Sequence, residues 1–336
     1  MCSLRQCREL LLGAMLAAAL LWPQYSTAPP SQPVIPPQAT ACDLLIGAGG
    51  EDIALRRNIC LLVAAGELAE MRWQNFSRWQ PQARQFYDPV AYSAAWTDNG
   101  WPTPQARALI DLFEHAGKKG LQAEDYDGPR WLERMNKITG HSAVSASDLA
   151  AFDVALTISA LRYLSDLHQG RVNPADVRFG LPVKTFDTAG FLRNQVLLSG
   201  DVKSAVGKLE PAYASYKRTL QALESYAELL RQGEDAPLPP IANILVPGKT
   251  YPGAWALAQK LRRLGDLAED AQLPAQADLY AGELVVAVKN FQQRHGLKPD
   301  GRIGDETFQQ LSTPLAVRVR QLELALERFR WLPSGL

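Results

Sequence analysis

The chain has 336 residues, 47% of them hydrophobic, enough to build two or more packed cores. Lys and Arg total 35, as do Asp and Glu, so there is no net charge. Nucleic acid is thereby excluded as the main partner, because phosphate binding needs a basic excess or a basic stripe.

At the N-terminus Arg5 and Arg8 precede an apolar run from Leu10 to Trp22. A basic start followed by an apolar core too short to span a bilayer comfortably predicts a secretory signal over residues 1–28. Ser26-Thr27-Ala28 offers small residues for cleavage, Ala39-Thr40-Ala41 is a second choice, and an uncleaved anchor is the alternative. Export to the periplasm or cell envelope follows. Residues 29–51 contain Pro29, Pro30, Pro33, Pro36 and Pro37, the composition of a stiff solvated spacer. Cys2 and Cys7 fall within the signal. Cys42 and Cys60 remain, and an oxidising compartment would let them pair as a disulfide. Ala39 at minus three from Cys42, and the distance from the apolar run, argue against lipidation.

Residues 52–235 read as a helical domain, and strand signals are weak throughout, so the expected fold class is all-α. Thr103-Pro104 is an N-cap with proline at the first helical position. Ser147 is expected to cap a longer helix carrying Phe152, Leu156, Tyr163, Leu164 and Leu167 at helical spacing, with Gly170 ending it. Pro211 opens another, whose stripe of Tyr213, Tyr216, Leu220, Leu223, Tyr226 and Leu230 is read as core, not as a sugar-stacking platform. Proline-rich residues 236–252 form a linker.

A small unit over residues 253–313 follows. Trp255, Leu257, Leu261, Leu264 and Leu267 make the apolar face of a first helix; Leu284, Val285, Val288 and Phe291 make that of a second, closed near His295-Gly296. Asp300-Gly301 turns the chain, Ile303 enters the core, and Asp305 is expected to cap a third helix holding Phe308 and Leu311. Helices this short must pack together to form at all.

Within this unit Val288, Phe291, Gln292, Gly296, Leu297, Asp300, Gly301, Gly304, Thr307 and Leu311 resemble the pattern of the three-helix peptidoglycan-binding module of many wall enzymes. Nearly all of them are residue types that build the fold, and none is assigned to a ligand contact. Asp153, Leu156, Thr157, Leu161, Gly170, Arg171 and Pro174 resemble the helical scaffold of the large murein L,D-transpeptidases. Pro314, Arg318, Leu322, Leu326, Glu327, Arg330 and Trp331 resemble the helix that leads into their catalytic domain, here residues 314–336. The resemblance implies a cysteine nucleophile on a later β-rich domain, attacking a stem-peptide carbonyl to form an acyl-enzyme. No such domain is read before Leu336, so this chain is expected to bind or position peptidoglycan without crosslinking unaided. A separate catalytic domain or wall-enzyme partner would supply the chemistry.

Two other readings stand beside this one: a complete, non-enzymatic wall-binding adaptor, and a helical hydrolase using Glu124 and Asp125 as an acid pair. The second is weak, because both carboxylates lie in a short polar loop expected to be solvated. Cys60 sits in an apolar helical run, where a thiol is normally inert. His115, His141, His168 and His295 are scattered, so no metal or other cofactor is expected. His168-Gln169-Gly170-Arg171 is explained by a helix end, with Arg171 offsetting the helix dipole.

Overall fold

In the computed structural model the described residues are 42, 51–139, 144–178, 180–181 and 184–333. The signal read over residues 1–28 and all but Cys42 and Glu51 of the proline-rich spacer lie outside them, as does His141. Among the described residues twelve α-helices account for nearly all regular structure. The fold is all-α.

Seven helices build the first core: α1 (Glu51–Ala65), α2 (Gln80–Tyr87), α3 (Pro104–Glu114), α4 (Trp131–Ile138), α5 (Ala146–Gln169), α6 (Thr188–Phe191) and α7 (Val202–Gly207). A two-residue hairpin, β1 (Thr97–Asp98) with β2 (Trp101–Pro102), sits before α3. The centre is α5, whose residues 150–161 are all buried; a helix apolar on every side belongs inside. α1, α2, α3 and α4 pack around it. Its N-cap is Ser145, which accepts from the Asp148 amide, rather than Ser147: both are capping types, and the helix begins two residues earlier than the apolar pattern shows. Thr103 caps α3 as its sequence indicates, accepting from the Ala106 amide. A disulfide joins Cys42 to Cys60 of α1, and both cysteines are buried in this core.

Buried polar groups in α5 tie loops onto it. Asp153, with no exposure, accepts from the Tyr87 hydroxyl (2.6 Å) and from the amides of Ala95 (2.9 Å) and Trp96 (2.8 Å). Thr157, one turn on, accepts from the Trp96 indole at 2.8 Å. Buried Asp127 likewise pairs with Arg134 at 2.7 Å and accepts from the Arg72 amide.

Two long helices follow, α8 (Ala214–Arg231) and, at the far end of the chain, α12 (Leu315–Trp331). They run antiparallel: Tyr213 meets Pro333, Tyr216 meets Phe329, and Glu234 beyond α8 meets the start of α12. α8 starts at Ala214, three residues after Pro211, and its tyrosine and leucine stripe is the face packed on α12. The helix read as a connector therefore lies against the scaffold. Its last turn is clamped there: buried Arg330 donates to the Lys119 carbonyl, while Glu327 accepts from the Val172 amide at 2.9 Å.

Between α8 and α12 the chain builds a second core from α9 (Ala254–Arg263), α10 (Glu283–Arg294), α11 (Asp305–Leu311) and the antiparallel pair of β3 (Lys249–Thr250) with β4 (Leu279–Tyr280), which flank α9. The proline-rich stretch before α9 packs onto this core through Leu238, Leu245 and Tyr251. The unit is thus an insertion between two paired helices.

Candidate functional site

The residues that carry the module pattern come together in and beside the α10–α11 loop. Gln292 is buried and holds the loop by three bonds: its amide donates to the Arg302 carbonyl (2.9 Å) and Thr307 hydroxyl (3.2 Å), and its oxygen accepts from the Gly301 amide (2.8 Å). Val288, Phe291 and Leu311 fill the core beneath. Leu297 and Gly304 are half-buried, and Gly296 is exposed with a left-handed φ of +70° that closes α10. Gly301 also has positive φ, +73°, and a Cβ there would stand 2.8 Å from Val285, so the turn demands glycine twice over. Asp300 accepts from the Arg302 amide at 2.9 Å. The N-cap of α11 is Gly304, with no side-chain cap; Asp305 is instead its first residue, placed to favour the helix dipole.

Trp255 departs from its sequence reading. It is 59% exposed, while Leu257 is fully buried. Two residues apart on a helix means about 200° around the axis, so the pair cannot share a face. The indole instead borders an apolar pocket of about 240 Å³ lined also by Ala254, Leu273, Pro274, Leu279 and Leu284. Sequence spacing alone contains this signal, since Trp255 is out of phase with Leu257, Leu261 and Leu264.

In the scaffold, Glu124 is exposed but Asp125 is buried, contrary to its reading as a solvated carboxylate. The reason is Arg171, whose guanidinium lies 2.6 Å from Asp125. Arg171 therefore serves a carboxylate across the domain and does more than offset the dipole of α5. Gly170, at φ +87°, allows the close approach of α12: a Cβ there would be 2.6 Å from Glu327 Oε1. These residues border a cleft that also receives Asp166. Burial raises the Asp166 pKa to about 7, against the pull of the Tyr126 hydroxyl and Arg171 and with a push from Glu327.

His115 contacts Asp111, His168 lies against Phe186, and His295 lies tilted against Phe291. Burial foremost, then Arg294 and Arg318, holds His295 down to about 4. Among the described residues no three His, Cys, Asp or Glu side chains come close enough to hold a metal ion. Cys42 and Cys60 are bonded to each other, so neither presents a thiolate.

Residues 81–223 match the family model of a scaffold domain, and residues 255–311 match that of a peptidoglycan binding domain. These two matches, in this order, support the resemblance to the scaffold-bearing murein L,D-transpeptidases. No curated protein matches it. The scaffold match spans the core around α5 and reaches Leu223 of α8; the peptidoglycan-binding match runs from Trp255 to Leu311, the span of α9 to α11. Peptidoglycan is accordingly a partner of this chain. No helix among the described residues is long and apolar enough to cross a membrane.

Proposed function

We propose that this chain works in the cell envelope as an exported wall-binding scaffold of a murein L,D-transpeptidase, holding peptidoglycan in place without crosslinking it through its own cysteines. The observation that carries this reading is the insertion of a peptidoglycan-binding domain between two antiparallel scaffold helices. Glu234, at one end of the insertion, accepts from the Leu315 (2.9 Å) and Ala316 (2.8 Å) amides at the other. Arg294 of α10 also donates to Tyr226 of α8 at 3.0 Å. Such a mounting transmits a fixed position from wall to scaffold, as a flexible tether would not. Export is supported by the leader pattern and by a disulfide suited to an oxidising compartment.

The family reaction requires a free thiolate beside a base. With Cys42 and Cys60 joined, a carbapenem should leave no acyl adduct on either, as read by mass spectrometry of the intact protein. The purified chain should sediment with isolated sacculi and release no muropeptides from them. An adduct on either cysteine, or released muropeptides, would replace this reading with an enzymatic one; failure to sediment would remove wall binding.

A further inference from the structure

The scaffold contains a cleft of about 580 Å³, in the range of small-molecule sites, which none of the module residues borders. Its wall is the C-terminal part of α5, which contributes Arg162 and Asp166. Trp73 and Arg78 approach from the loop before α2, Arg171 and Lys184 from the segment after α5, and Trp331 from the last turn of α12. Four cations therefore share the cleft with two carboxylates, Asp125 and Asp166. Arg171 is engaged by Asp125, and the Arg162 guanidinium donates to the Asp125 carbonyl at 2.9 Å, so these groups are held in position by the fold itself. Lys184 is likewise held, donating to the Arg330 carbonyl at 2.7 Å.

Two properties coincide here. The excess of cations favours carboxylates, which guanidinium groups bind in a planar, two-bond geometry. The Trp73 indole offers something different, whereas Trp331 is buried. Trp73 is 50% exposed, and the electron-rich face of an indole attracts the polarised C–H face of a sugar ring. A neutral glycan would leave the excess cations uncompensated, and a bare polyanion would leave the Trp73 indole unused. A sugar that carries carboxylates uses both.

We propose that this scaffold cleft binds a carboxylate-bearing glycan, the disaccharide-peptide unit of the wall polymer, as a second contact beside the peptidoglycan-binding domain. The proposal rests on the peptidoglycan reading above and extends it to the scaffold. Two sites fixed on one chain would bind a polymer more tightly than either alone.

The test is isothermal titration of the full chain with a soluble disaccharide-tetrapeptide and, separately, with an uncharged chito-oligosaccharide. Trp73→Ala and Arg78→Gln change exposed side chains and should leave the melting temperature unchanged. Each should weaken disaccharide-tetrapeptide binding at least fivefold, whereas Trp255→Ala in the module should not. The uncharged sugar should bind at least tenfold more weakly than the charged one. Unchanged binding by both cleft variants, equal binding of the two sugars, or no binding of the charged one by the wild-type chain would each overturn the proposal. Sedimentation with sacculi reads the module separately. Its loss with titration intact would count against the module and not against the cleft.

Discussion

Asp153 lies in α5 with no exposure and answers three donors that come from α2 and the loop before β1. Burial raises its pKa to about 6 even though those donors pull it down. The unfolded carboxyl titrates near 3.9, so between about pH 4 and 6 the folded chain binds more protons than the unfolded one. Stability from this group is therefore full below about pH 4 and is lost as pH rises through 6, by on the order of 2–3 kcal/mol. Asp166 shifts the same way, but it is common to wild type and variant and cancels in their difference. Asp153→Asn keeps an acceptor for the backbone amides and cannot ionise. Urea melts should show the stability difference between wild type and Asp153→Asn changing by that amount from pH 4 to pH 7; a flat difference would sink the assignment. Asp153→Ala strands the Ala95 and Trp96 amides, while the Tyr87 hydroxyl keeps Thr157, and should cost about 3 kcal/mol or more. Asp153 and Thr157 stand out in the sequence as residues of the scaffold pattern. Their partners do not, because Tyr87 and Trp96 lie some 60 residues away in the chain. Asp125 was hidden for the same reason: its cover, Arg171, comes from beyond α5.

At the scale of elements, helices with one apolar face were legible and their ends were less so. Ser145 and Ser147 are equal as caps in sequence, and only the packed helix chooses between them. The partner of α12 was illegible, because Glu327 and Arg330 look like surface residues and become buried only against the 119–120 and 170–172 turns. Glu234 is another such case: an unremarkable acid in sequence, it supplies the missing N-cap of α12, whose own cap position is Pro314. Glu234→Ala should cost about 1 kcal/mol, the value of a lost cap, and should raise the rate of protease cleavage between residues 231 and 253. Unaltered cleavage would mean that the junction is held elsewhere. The disulfide belongs to this scale too. Cys42 and Cys60 are 18 residues apart, so breaking their bond should cost about 3 kcal/mol by the chain-entropy estimate. Calorimetry with and without reductant checks this, and an unchanged melting temperature would contradict it.

For the molecule as a whole, the order scaffold, wall-binding unit, connecting helix was readable from residues that resemble the family pattern, and the all-α class from helical periodicity; that the last helix returns to the scaffold was not. What the linear order concealed is that the unit is mounted at both ends. Deleting it should therefore leave the scaffold intact, since the reach of Glu234 to Leu315 brings the two cut ends together. That permits the most direct test of the central claim, peptidoglycan binding through the inserted unit. Residues 236–313 are replaced by a short Gly-Ser linker, and the retained α-helical circular dichroism of the remaining chain is checked. Its co-sedimentation with purified sacculi is then compared with that of the full chain. The account predicts that the full chain pellets with sacculi and that the deletion reduces the pelleted fraction by at least fivefold, leaving only the weaker contact of the scaffold cleft. A folded deletion variant that pellets as fully as the whole chain would contradict it.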